Sequence, residues 1–318
     1  MKSFTIQKND AGQRLDRFLT KATPNLPHSM LYKGIRTKNI KVNRKRATID
    51  QRLQEGDLVE LYLKDELLTP GEKFYDFMRA GKQLQILYED SEILLAHKPE
   101  GLLSHGDEKE YSDTLIGRIQ RYLFEKGEFD PETENSFTPA LANRIDRNTG
   151  GIVIAAKTAE ALRILNQKIK DREIEKYYLC LVHGTPKPKE AMLTGYLKKD
   201  TKKNMVTVFK NPTDGALTIK TEYKVLASKG GCSLLEIHLH TGRTHQIRAH
   251  MESIGHPLVG EGKYGKNAND KKKGFKHQAL YSYKLTFAFV TDGGCLSYLN
   301  GKTFEIPDVW FAKDFLNQ

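Results

Sequence analysis

Cysteine is scarce. The 318-residue chain has three, Cys180, Cys232 and Cys295, each far from the others. So few, so widely spaced, make neither a C-x-x-C metal knuckle nor an even disulfide framework, and the expectation is a reduced, cytoplasmic protein. Long hydrophobic runs are also missing. No stretch approaches the roughly 18 apolar residues of a spanning helix, and the opening MKSFTIQKND has no apolar core like that of a secretory signal. No membrane association is expected. No P-loop pattern occurs, which removes one common phosphate-cradling motif. There is one tryptophan, yet 14 Tyr and 14 Phe lie among regular apolar runs, so generic disorder is excluded despite a mean hydropathy of −0.57.

What the chain does have is positive charge, unevenly placed. The formal balance is +11, from 51 Lys and Arg against 40 Asp and Glu. Residues 1–64 hold 14 of the bases and 6 of the acids, a surplus of +8 in a fifth of the length. Such asymmetry points to a polyanion-binding appendage on a nearly neutral body, and also fits a merely solvated surface. The length suits two domains.

Within 1–64, Leu15, Phe18 and Leu19 mark one helix face, with Pro24 and Pro27 ending it. Ser29 is the expected cap of a second helix running to Ile35. Two short strands, 40–42 and 58–63, complete a small hairpin. Arg14, Arg17, Arg36, Lys38, Arg44, Lys45 and Arg46 form its candidate RNA-binding set. Residues 65–85 break the pattern and read as a linker. From 86 onward, strands are expected near 86–88, 93–96, 151–156, 177–182, 205–209, 217–227, 232–240 and 281–289. Helices are expected at 113–125, 158–170 and 244–253. Lys271, Lys272 and Lys273 read as a loop tip. The mixture indicates an α+β fold with a largely antiparallel mixed sheet and flanking helices.

Three polar segments stand out. The first, Asn143 to Gly151 (NRIDRNTGG), runs directly into a buried strand. Charge at such a place needs pairing; Asp146 is either a carboxylate presented for chemistry or the cap of a tight turn. The second, His238 to His256 (HLHTGRTHQIRAHMESIGH), has five histidines, but His245 and His250 are five apart, not on one helix face. Cationic donors Arg243 and Arg248 are preferred there to a metal. In the third, Lys176-Tyr177-Tyr178, strand alternation sends the two tyrosines to opposite faces.

In this order the three segments resemble the RluA family of RNA pseudouridine synthases. Arg144 to Gly151 is similar to its RLDxxTSG motif, Lys176 to Val182 to its KxYxALV strand, and Gly242 to His250 to its GRTHQIRxH signature. Lys98-Pro99-Glu100-Gly101-Leu102 and Gln278-Ala279-Leu280 agree as well. Residues 14–63 more loosely resemble the S4-like RNA-binding module. Three positions depart: Asn143 for the family's His, Gly150 for its Ser, and Tyr281 for the His of its Leu-His pair.

The resemblance implies a catalytic domain over 86–318 that isomerises uridine to pseudouridine without metal or organic cofactor. It casts Asp146 as the catalytic carboxylate, Arg248 as its buried partner, Tyr178 as the ring under the uracil, and Arg144 as an aid to extruding the base. The implied partner is RNA, ribosomal RNA of the large subunit first and transfer RNA second, with no protein partner required. A non-catalytic RNA-binding or ribosome-assembly role is the rival from another class. A glycoside hydrolase would need a second positioned carboxylate, and none is marked.

Overall fold

The computed structural model describes residues 1–68, 75–106, 112–265 and 267–317. The amino-terminal segment carries strand β1 (Lys2–Thr5), helices α1 (Leu15–Ala22) and α2 (His28–Arg36), and strands β2 (Ile40–Val42), β3 (Lys45–Arg46) and β4 (Leu58–Leu61). The strands form a four-stranded sheet in the order β1-β4-β2-β3. Leu15, Phe18 and Leu19 are fully buried with Leu31, Ile40 and Val59 in a separate apolar cluster, as the helical spacing requires. Helix α2 starts one residue before Ser29; Pro27 occupies the capping position and no side chain caps the helix. Pro27 pre-sets the backbone and lacks the N–H that would otherwise go unsatisfied.

The rest is built on strands β5 (Gln85–Glu89), β6 (Ile93–Lys98), β7 (Ala140–Leu141), β8 (Gly150–Ala156), β9 (Ile174–His183), β10 (Glu190–Asp200), β11 (Met205–Phe209), β12 (Leu217–Lys229), β13 (Cys232–Leu239), β14 (Leu280–Phe287) and β15 (Thr303–Glu305). They make an eleven-stranded mixed sheet, its main path β11-β10-β12-β13-β9-β14-β8-β6-β5. Pairing is antiparallel except between β14 and β8. Helices α3 (Leu115–Glu125), α4 (Ala159–Lys170), α5 (Gln246–Ser253) and α7 (Trp310–Asn317) flank it. Strand β8 is buried throughout because alternate residues feed two cores. Val153 and Ala155 meet α3 and α5 on one face, and Ile152 and Ile154 meet α4 and α7 on the other. Thr114 and Thr158 cap α3 and α4, accepting from Gly117 N at 3.1 Å and Ala161 N at 3.2 Å.

Strand β10 has no counterpart in the sequence reading, and Lys271 and Lys272 lie on a short helix, α6 (Ala268–Lys272), not a bare loop. Of the expected linker 65–85, residues 69–74 lie outside the described residues. Its later part turns through Asp76–Arg79 and buries Phe77 against Phe124 and Phe129. A polar seam joins the small sheet to the large one. Asp10, fully buried, accepts from Ser136 Oγ at 2.5 Å and Asn135 Nδ2 at 2.7 Å, while Asn9 Oδ1 caps the start of α4 through Ala159 N at 3.2 Å.

Candidate active site

The loop before β8 is fastened from behind. The Ser104 hydroxyl donates to the Ile145 carbonyl at 3.0 Å. The fully buried Lys98 ammonium donates to the carbonyls of Arg147, Pro99 and Leu102 at 2.9, 2.9 and 2.6 Å. Burial lowers the Lys98 pKa to about 7, with the charge of Asp146 acting the other way, and the three carbonyls favour the ammonium form. Asn143 Oδ1 accepts from Ile154 N at 2.8 Å, tying the loop's first residue to β8. Asp146 thus hangs between two anchored carbonyls, its own accepting from Thr149 N at 3.0 Å.

The Asp146 side chain is one-quarter exposed and faces an open cleft of about 630 Å³. Arg248 reaches it from the first turn of α5, donating from Nη1 to Oδ2 at 2.9 Å. The other edge of that guanidinium forks onto Glu261, Nε to Oε2 at 2.8 Å and Nη2 to Oε1 at 2.6 Å. Glu261 has no exposed side-chain surface. Its burial favours the neutral acid, but hydrogen bonds and charge from Arg248 outweigh this and hold the carboxyl below its ordinary range. No hydrogen bond among the described residues reaches Asp146 Oδ1, which leaves that oxygen for a substrate.

Tyr178 projects from β9 into the same cleft, 6% exposed. Burial pushes its pKa up to about 12, against a hydrogen bond with Ser282. Its partner in alternation, Tyr177, lies on the other face, stacked on His238. An aspartate, an arginine that fixes one of its oxygens, and a neutral phenol therefore share one cavity, brought there from a loop, a helix and a strand.

Residues 92–253 match the family model described as RNA pseudouridylate synthase. The chain is 34% identical over 291 residues to an RNA pseudouridine synthase of Mycoplasma genitalium, covering 89% of this chain and 88% of that one. It is 32% identical over 276 residues to the ribosomal large subunit pseudouridine synthase C of Vibrio parahaemolyticus, covering 85% and 82%.

The chain belongs to the RNA pseudouridine synthase family.

It is an enzyme of RNA modification. A solved structure, human RNA pseudouridylate synthase domain containing 4, shares the fold with a TM-score of 0.53 at 18% identity, over 70% of this chain and 87% of that one. In the synthase, Arg144 is exposed at the rim, on the boundary between the first cleft and a second of about 510 Å³ that Lys199, Lys263 and Lys276 also line. Arg243 is exposed on the turn leading to α5.

Arg17, Arg36, Lys38, Arg44, Lys45 and Arg46 are exposed on the small sheet and its helices, and none of them lines the Asp146 cleft. Arg14 is exposed too, but its guanidinium is tied to Asp16 at 2.9 Å. Of the histidines of the second segment, His250 pairs with Thr221 and His256 with the His183 carbonyl, while His238 and His240 stay together on Glu222.

Sequence reasoning missed Glu261 and His245. His245 sits at φ 51° before α5, which begins at Gln246 and not at Thr244. Its Nδ1 is 2.9 Å from the Tyr264 hydroxyl and its Nε2 is 3.9 Å from Asp146 Oδ2. Because Tyr264 Oη already accepts from Val206 N at 2.9 Å, its proton is free for Nδ1. The Nε2–H tautomer then faces the carboxylate. His245 lies inside the Gly242–His250 signature but drew no role there, and no local pattern marks Glu261. Glu261 is a single acid 13 positions after Arg248, meaningful only once the fold has closed.

Proposed function

We propose that the synthase converts uridine to pseudouridine in ribosomal RNA of the large subunit, with Asp146 as the reacting carboxylate. The observation that carries the reading is the buried Glu261–Arg248–Asp146 relay, which pins one oxygen of Asp146 and leaves the other facing the cleft. Isomerisation breaks the N1-glycosidic bond, turns the uracil, joins C5 to the anomeric carbon, and exchanges the C5 proton for one taken up at N1. Asp146 either attacks the anomeric carbon or removes the 2′ proton, and the Arg248 guanidinium holds it oriented for both.

Tyr178 serves as the wall under the uracil. As a neutral phenol it can take the C5 proton only by passing on its own. Stacked uridine cannot present its glycosidic bond, so the base must leave the helix at a cost of about a few kcal/mol. Arg144 at the rim is suited to fill the space it vacates.

Residues 1–64 act as an S4-like RNA-binding domain, 65–85 as the connection and 86–318 as the catalytic domain. The exposed bases of the first supply phosphate contacts that offset part of the extrusion cost without reading sequence. The naming of relatives as large-subunit enzymes supports the ribosomal target and a cytoplasmic setting; transfer RNA ranks second.

Asp146→Asn should abolish pseudouridine formation while RNA binding and thermal stability persist. Chemical mapping of pseudouridines in total RNA from cells with and without the protein then reads the target. Turnover by Asp146→Asn would overturn the assignment, and sites lost only from transfer RNA would overturn the target.

A further inference from the structure

Glu222 on β12 and His238 on β13 are register partners in an antiparallel pair, and His240 follows two residues on, on the same face of the sheet. Glu222 Oε2 lies 3.3 Å from His238 Nδ1 and 2.8 Å from His240 Nε2. One ligand atom from each residue falls within 4.8 Å of the other two. A tetrahedral ion with bonds of about 2.0–2.2 Å to nitrogen and oxygen holds its ligand atoms roughly 3.3–3.5 Å apart. The 3.3 Å edge from Glu222 to His238 has that spacing, and the 2.8 Å edge to His240 needs to open by about half an ångström.

The surroundings suit a cation. Tyr177 stacks on the His238 ring at 4.4 Å and 19° and buttresses it. Glu175 and Glu236 both place negative charge near the same tyrosine. Lys284 is engaged by Glu236 at 3.1 Å and by the Tyr177 ring.

We propose that Glu222, His238 and His240 form a binding site for a divalent cation of the zinc class, with its fourth position open to water. One ligand on β13, a second just past its end and a third opposite them on β12 need no helix. The usual His spacing on a helix therefore gave no warning of the site. An ion here ties β12 to β13 where the chain turns through Thr241 and Gly242 into α5, the element that presents Arg248. The site stands independently of how Asp146 acts.

Cobalt(II) reports such a site directly, because a four- or five-coordinate ion with two imidazoles absorbs strongly in the visible. The full-length protein, freed of any affinity tag and stripped with a chelator, is titrated with Co²⁺ and then with Zn²⁺. The expected result is one equivalent of Co²⁺ giving the visible band, its displacement by Zn²⁺, and a melting temperature raised by Zn²⁺. Glu222→Gln should weaken Co²⁺ binding at least about tenfold, and His240→Ala should abolish the band. Glu222→Gln keeps the shape of the pairing, so it decides the matter if His240→Ala does not fold. Absence of the band in the parent protein, or an unchanged band in the folded variants, overturns the proposal.

Discussion

Gly150 and Tyr281 belong together. A Cβ on Gly150 would stand 2.4 Å from the Tyr281 ring, and Tyr281 pairs with Gly150 across the parallel strands and bonds His97 through its hydroxyl. The two departures from the family pattern are therefore one: the larger ring occupies the space a serine would take. Gly150→Ser alone should lower stability by about 1–3 kcal/mol through overpacking. Adding Tyr281→His should recover most of the loss, a coupling that a thermal-melt double-mutant cycle will read. Asn143 differs for a separate reason, its amide oxygen closing onto β8. Asp146, Tyr178 and Arg248 were legible in the sequence because each lies in a motif whose neighbours are contiguous. Glu261 and Glu222 were not, since each acquires its role from a partner on another element, and an isolated glutamate looks the same in any context.

The elements that carry the site were largely visible from periodicity, and their ends were not. Strands β8 and β9 announced themselves as apolar runs, whereas the parallel pairing of β8 with β14 depends on Gly151. At φ 121° its missing Cβ would lie 2.1 Å from the Ser282 carbonyl oxygen. Strand β10 escaped notice because its burial alternates weakly and it ends in exposed lysines. Helix α5 illustrates what tertiary context adds. Its capping residue His245 and its interior His250 both have pKa values lowered to about 4, by burial first and, for His245, by Arg248 as well. A histidine depressed in the folded state contributes stability that is complete above its unfolded pKa, about 6.5, and is lost as pH falls toward 4. Stability should accordingly decline between about pH 6.5 and 4. His250→Asn, which retains an amide in place of Nδ1, should show a shallower decline, by up to about 3 kcal/mol near pH 4. Denaturant titrations at several pH values measure the difference.

For the whole molecule, +8 of the surplus of +11 lies in residues 1–64, whose exposed bases do not line the cleft, and a second basic group, Lys199, Lys263 and Lys276, lines a cavity with Asp146. Replacing Arg44, Lys45 and Arg46 together by glutamine should weaken RNA binding and reduce the steepness of its salt dependence. Each lost phosphate contact is worth about 0.7–0.9 in the log–log slope. Filter binding at graded salt concentrations tests this, and an unchanged slope would remove those residues from the interface. The seam between the two sheets responds to different forces. Asp10, itself fully buried, is held by a serine, an asparagine and a backbone amide, all neutral donors, so dissolved ions have little purchase on it. Ionic strength therefore acts selectively: concentrated salt should strip RNA from the outer surface while the two halves of the protein stay clasped, and the enzyme released in this way should be ready to bind again upon dilution.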